Sequence, residues 1–241
     1  MKYFFTILLA HTLFGAKGQA HDPEMQKNAV ILNSRMTPSS LVRTRTKQKE
    51  ALKGNPFLFQ ESKKGIVKIK HHYNKEYAFA NMRYDAFNHE IEVVLENKKR
   101  YIRGTDLNGF ALYHEGKRLL FINANHYSFK NTKLQGFVQL IEDGGVQLVK
   151  RVKIDILKSN YNVALNVGNN FDKFIRKTTY FYAHKGVLYQ VKSKKDLYRF
   201  FSKRNFNAKT VMKQHKIKFR KQKEQTFQLL ARTYNAQVAN K

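Results

Sequence analysis

The sequence predicts a mainly β chain with an α-helical tail. The β part reads as an antiparallel meander, a sandwich or an open barrel of roughly nine or ten strands, followed by about three short helices. Three observations predict this. Between Phe57 and Val191 apolar residues recur with a period of two. Polar and glycine-containing turn signals separate those runs. After Val191 the period changes to that of a helix.

Met1-Lys2 is a short positive start, and Tyr3 to Phe14 is an apolar run interrupted by His11. Gly18-Gln19-Ala20 then offers small residues two apart, so residues 1–20 read as a secretory signal peptide. A spanning helix needs about 20 apolar residues, and this run breaks at Ala16-Lys17-Gly18. No cysteine follows it, so no lipoprotein anchor is available. No later segment is apolar enough to span a membrane, and the chain beyond residue 20 is expected to be soluble or peripherally bound. With no cysteine anywhere, disulfides, thiolate metal sites and cysteine nucleophiles are excluded, and the fold must be held by its own core. The 19 Phe and 13 Tyr supply bulky material for one.

Residues 21–53 are polar, with Thr37-Pro38-Ser39-Ser40 at their middle, and read as a linker or a loosely docked arm. The antiparallel β domain is expected over 54–191. Val67 and Ile69 alternate with Lys68 and Lys70. Ile91, Val93 and Leu95 alternate with Glu90, Glu92 and Glu96. Val146, Leu148, Val152, Ile154 and Ile156 share one face of a long strand with Lys150 among them, while Gln147, Arg151, Lys153 and Asp155 share the other. Turns fall at Asn88-His89, Glu96-Asn97-Lys98, Glu115-Gly116, Asp143-Gly144-Gly145 and Lys185-Gly186. Lys158 to Lys177 is Asn-rich and reads as a long loop with one irregular strand.

Residues 192–241 are expected to be a basic helical tail. Ser193 with Asp196 resembles a capping box ahead of Leu197, Phe200 and Phe201. Asn207 can cap a second helix with Ala208, Val211, Met212 and His215 on its apolar side. A third, from about Gln222 to Gln237, places Phe227, Leu230, Ala231 and Tyr234 on one face.

The chain carries 46 basic and 17 acidic residues, a formal net charge of +29, of which +13 falls in Lys192–Lys241. Such a field attracts anions. An export signal disfavours nucleic acid and points to anionic lipid, polysaccharide or another envelope protein. Lys209, Lys213, Lys216 and Arg220 are spaced 4, 3 and 4 apart and would form one cationic stripe on a helix, a candidate anion-binding site. A solvated outer face is the commoner role for such lysines.

Chemistry is sparse. The chain has no GxSxG elbow, HExxH motif, phosphate-binding glycine loop or GxGxxG, and no catalytic, cofactor-binding or metal residue is assigned. Asp85, Asn88, His89 and Glu90 cluster at a turn and could serve a hard cation or acid–base chemistry, but the polar apex of a hairpin, with Asp85 on backbone amides, is the favoured account. Arg83 and Asp85 suggest a local ion pair. Glu142-Asp143 sits at an expected hairpin tip. His71-His72 on a strand would point to opposite faces.

The apolar start, Gly54-Asn55-Pro56-Phe57-Leu58-Phe59, Met82-Arg83-Tyr84-Asp85-Ala86-Phe87, Gly136-Phe137, Asp143-Gly144-Gly145 and Leu229-Leu230-Ala231-Arg232-Thr233-Tyr234-Asn235 together resemble a group of exported proteins of Bacteroidetes-type bacteria. The resemblance covers about Gly54 to Asn235. It implies a Gram-negative envelope setting and no assigned activity, and it carries over no functional residue. The expectation is an exported, non-catalytic protein with a binding or structural role, periplasmic, associated with the outer membrane, or extracellular. The alternatives are an anion-binding module acting through the basic tail, and a hydrolase using Asp85 or His89.

Overall fold

The computed structural model describes residues 30–31, 42–44, 52–70, 75–162, 165–168, 171–219 and 221–239. The expected signal segment 1–20, His71-His72 and Arg220 lie outside the described residues.

The strands are β1 (Val30–Ile31), β2 (Lys63–Ile69), β3 (Glu76–Asp85), β4 (Glu90–Leu95), β5 (Lys98–Arg103), β6 (Leu107–His114), β7 (Lys117–Asn123), β8 (Ser128–Phe129), β9 (Thr132–Lys133), β10 (Phe137–Glu142), β11 (Gln147–Leu157), β12 (Lys173–His184) and β13 (Val187–Gln190). They form one open sheet in the order β5-β4-β3-β2-β6-β7-β10-β11-β12-β13-β8-β9, with β1 added beside β3. Three helices follow, α1 (Lys194–Ser202), α2 (Ala208–Gln214) and α3 (Lys223–Ala239). The chain is mainly β with an α tail.

The thirteen strands among the described residues exceed the nine or ten expected, partly because β1, β8 and β9 are two residues long and carry no readable period. The sheet is also mixed. Val187 pairs in parallel with Ser128, and β1 pairs in parallel with Tyr77 and Ala78 of β3. Four hairpins turn on two residues, each with positive φ: Glu96-Asn97, Glu115-Gly116, Lys130-Asn131 and Lys185-Gly186. That geometry matches the right-handed twist of the flanking strands, and it explains why Asn or Gly holds the second position each time.

β11 and β12 form a long hairpin paired from Gln147↔Ala183 to Leu157↔Lys173. At its base the two faces serve different cores. Leu148 and Tyr182 lie under the helices with Leu197, Phe201, Phe227 and Leu230. Val149 and Phe181, one residue on, face Val138, Tyr127 and Leu188. Further along, Val152 and Ile154 join a third cluster with Val67, Met82, Phe110, Phe121 and Phe137. In it the Phe110 and Phe121 rings stack 4.5 Å apart and Phe137 meets Phe110 edge-on. Full burial of side chains this large contributes about 2–3 kcal/mol each. Lys150, on the helix-facing side as the alternation predicts, reaches Glu224 of α3 at 3.0 Å.

Other segments differ from expectation in detail. Lys158 to Lys177, expected as a long loop with one irregular strand, ends in the first residues of the long regular strand β12, which begins at Lys173 with its alternation obscured by Arg176, Lys177, Thr178 and Thr179. Described parts of 21–53, expected as a linker or a loosely docked arm, lie against the sheet. β1 extends it, the Arg43 backbone exchanges two hydrogen bonds of 2.9 Å with Tyr101, and Lys53 bridges to Lys173. The polar side of β4 is buried: Glu92 is 3 % exposed and accepts from Arg83 Nε (2.8 Å) and Nη2 (2.5 Å) on one side and Tyr101 Oη (3.0 Å) on the other. Arg83↔Glu92↔Tyr101 are cross-strand partners on β3, β4 and β5, so the register itself assembles the triad. Arg83 thus answers Glu92, where the sequence suggested Asp85.

The tail follows its expected caps. Ser193 and Asp196 form a full capping box, and the Asn207 side chain accepts from Thr210 N at 3.1 Å. α2, however, stops at Gln214. His215 is its exposed C-cap, not an apolar position, and Ile217 and Phe219 pack on the helical core instead.

Candidate functional site

The proposed Lys209, Lys213, Lys216 and Arg220 stripe is not one helical face. Lys209 and Lys213 are exposed on α2. Lys216 stands two residues past the helix at φ 49°, where the chain turns left-handed, and Arg220 lies outside the described residues. The helix ends there because the Lys216 backbone donates to Lys213 O and Ile217 to Met212 O, closing the last turn.

A cleft of about 430 Å³ opens instead at the β3–β4 hairpin. Its floor is built by turn chemistry. Asp85, fully buried, accepts from the backbone amides of Phe87 (3.1 Å) and Asn88 (2.8 Å) through one oxygen and from Asn88 Nδ2 (2.8 Å) through the other. This is the bracing role favoured for a turn aspartate. The turn forces His89 to φ 58°. Its carbonyl accepts from Gly104 N at 3.0 Å, and a Cβ on Gly104 would stand 2.2 Å from that oxygen. A Cβ on Gly136 would stand 2.5 Å from His89 Nδ1. Two glycines therefore admit the imidazole and its backbone. Asn123, buried, fixes the Gly104 turn by donating to Gly104 O (3.2 Å) and Leu107 O (2.8 Å).

The imidazole is oriented from behind by Tyr84, whose hydroxyl lies 3.1 Å from Nδ1. Burial pushes the Tyr84 phenol up, so it keeps its proton, and its oxygen is hydrogen-bonded by the Phe137 backbone. The hydroxyl keeps a proton it can donate to Nδ1, an arrangement that puts the proton of neutral His89 on Nε2. Burial, and next the positive charge of Arg151, hold His89 below its usual value. Arg151 is itself lowered by burial and donates to Gln135 O at 3.2 Å.

Cations edge the cleft. Arg43 is ion-paired with Glu90, Arg103 Nε donates to Asp106 at 2.9 Å, and Lys70 Nζ donates to Thr105 O at 2.8 Å. Among lining residues Arg43, Lys70 and Arg103 stand against the single carboxylate of Glu90. The arrangement presents amide, guanidinium and ammonium donors around a neutral imidazole, which suits an anion or an acceptor-rich polar molecule. Among the described residues no group of three His, Asp or Glu could hold a metal ion. Glu142 and Asp143 serve structure as well: Glu142 takes Arg232 at 3.0 and 3.1 Å, and Asp143 accepts from Gly144 N and Gln147, both at 2.8 Å.

Sequence reading picked out Asn88, His89 and Glu90 but missed Arg43, Gly104, Asn123 and Gly136. These come from the arm, a β5–β6 turn, the end of β7 and the approach to β10. No periodicity links them, and the isolated glycines were the one available signal. No family model, no curated protein and no solved structure matches the chain.

Proposed function

We propose that this is an exported, non-catalytic binding protein of the cell envelope, and that the His89 cleft holds a small anionic ligand of the phosphate- or sulfate-ester class. The observation that carries this reading is the lining itself, three cationic side chains, two of them paired with Glu90 and Asp106, and several amide donors around an imidazole kept neutral. Export rests on the residue order of 1–20. The groups that could transfer protons are engaged in structure: Asp85 with its turn, Glu90 with Arg43, and His89 with Tyr84. That favours binding over turnover.

Titration calorimetry with inorganic phosphate and a hexose phosphate tests it. Binding should weaken steeply with salt and fall about tenfold or more in Arg103→Glu and in Lys70→Glu. Salt-independent binding, or none, rejects the anion reading. Turnover of a chromogenic phosphate ester that disappears in His89→Ala would replace binding by hydrolysis. N-terminal sequencing of the protein from the periplasm of an expressing Gram-negative host should give a start near His21, and a start at Met1 would remove the export argument.

A further inference from the structure

Exposed apolar side chains gather in one place. Among the described residues, five of the eight large hydrophobic side chains that stand exposed fall between 157 and 175: Leu157, Tyr161, Leu165, Val167 and Ile175. Leu165 and Val167 are the extreme cases, at 68 % and 55 % exposure. They sit at the far end of the β11–β12 hairpin, past Ile154, the last buried residue of β11, and the strand alone carries the chain about 10 Å beyond it.

Local bonds shape the described parts of this tip. Asn162 and Val167 pair across it as a bridge, with hydrogen bonds of 2.9 and 3.4 Å. Leu165 N donates to Asn162 Oδ1 at 3.2 Å, and Tyr161 Oη donates to Asn166 Oδ1 at 2.5 Å. Gly168, at φ 101°, passes so near Asn160 that a Cβ would lie 2.5 Å from its carbonyl oxygen. Leu165 and Val167 are therefore held outward by the backbone they belong to. Exposed apolar side chains concentrated at one tip point to an interaction site.

Charge selects the partner. From Lys153 to Lys177 the hairpin carries Lys153, Lys158, Lys173, Arg176 and Lys177 against Asp155 and Asp172. The register puts Leu157 beside Lys173, Ile175 beside Asp155, and Lys177 beside Lys153 on one sheet face. Asp155 is already answered by Lys153 at 2.6 Å, and Asp172 by Lys158 at 2.7 Å. An apolar knob above a collar of surplus cations has the amphipathic order of a bilayer interface, with hydrocarbon outermost and anionic headgroups one layer behind. Tyr161 adds a ring suited to the headgroup level. We propose that the β11–β12 tip is a peripheral membrane-docking element for anionic lipid, with Leu165 and Val167 entering the acyl boundary and Lys173 and Lys177 meeting headgroup phosphates. The cleft and its ligand are not needed for this surface to act.

The chain has no tryptophan, so Leu165→Trp places a single reporter on the knob. Its emission should shift to the blue with vesicles of phosphatidylcholine mixed with phosphatidylglycerol, and much less with phosphatidylcholine alone. In sedimentation with the mixed vesicles, Leu165→Asp with Val167→Asp should lower partitioning about tenfold or more, and Lys173→Glu with Lys177→Glu should do likewise. All four positions lie outside the cores, so the melting temperature should hold. An unshifted reporter, or sedimentation unchanged by both double variants, overturns the proposal, including the case in which the apolar residues 1–20 cause the binding. Concentration-dependent self-association without vesicle binding, abolished by the same substitutions, also overturns it and makes the tip a contact between two copies of the chain.

Discussion

The hydroxyl of Tyr84 and Nδ1 of His89 lie 3.1 Å apart across a single hairpin turn, one residue buried in the aromatic cluster and the other lining the cleft. The pair connects the core of the sheet to the floor of the candidate site, and the direction of its hydrogen bond goes with the ring tautomer.

The burial of His89 gives the fold an acid dependence. His89 is lowered from 6.5 by burial first, then by Arg151 and Lys153, with Asp85 opposing. The unfolded chain takes up this proton near 6.5 and the folded chain only at lower pH. Stability from His89 is thus fully present above 6.5 and is lost progressively as pH falls from there to the folded value. Imidazole resonances followed by NMR should show His89 titrating below 6.5, and Tyr84→Phe should alter its tautomer signature. A midpoint at or above 6.5 would refute the burial argument.

Gly136→Ala should displace the imidazole. A methyl group there would stand 2.5 Å from Nδ1 at a backbone φ of 81°. The expected cost is about 1–3 kcal/mol, read from urea unfolding, together with weaker ligand binding in the cleft. Gly116→Ala has positive φ but open space and serves as the control.

Arg83→Met leaves Glu92 buried with only the Tyr101 hydroxyl among the partners named above. Destabilisation of about 3 kcal/mol is expected, and Arg83→Met with Glu92→Leu should recover much of it. Equal stability of the single variant and the parent would show that the triad is inert.

Asn235→Ala should loosen the tail from the sheet. Its Oδ1 accepts from Val146 N at 2.9 Å, while Nδ2 donates to Val146 O at 2.9 Å and Asp143 O at 3.1 Å. Loss of the three bonds should cost about 1–3 kcal/mol, with faster amide exchange at Val146. By contrast, Lys209→Glu with Lys213→Glu should leave stability within about 0.5 kcal/mol of the parent. Both variants are checked by thermal unfolding.

Alternation was enough to place β2, β4 and β11, and polar dipeptides placed three of the four two-residue turns, because both signals are local; the Lys130-Asn131 turn between the two-residue strands β8 and β9 was missed. The caps at Ser193 and Asn207 were legible for the same reason. Local pattern could not reveal that Glu92 would be buried, since its partners Arg83 and Tyr101 come from neighbouring strands and are aligned only by register. Nor could it reveal that α2 would stop at Gln214. Lys209, Lys213 and Lys216 keep helical spacing in the sequence, but the backbone bonds from Lys216 and Ile217 end the helix before that spacing can act. The cleft was the least legible part. His89 announced itself as a turn residue, whereas Gly104, Asn123 and Gly136 reach it only through strand order.

The parallel pairing of Val187 with Ser128 has a kinetic consequence. β8 leaves β7 without its neighbour and finds it only after β10, β11 and β12 have been laid down in between. A chain emerging N-terminus first can assemble β2 to β7 as it appears, but the β8–β9 hairpin must wait for β13 before it joins the sheet. The slow step of refolding should therefore be this late closure, a loop of large sequence separation formed against an already ordered sheet. Until then Tyr127 and Phe129 have no Phe181 or Leu188 to cover them, and the half-made molecule exposes the surface on which it would aggregate.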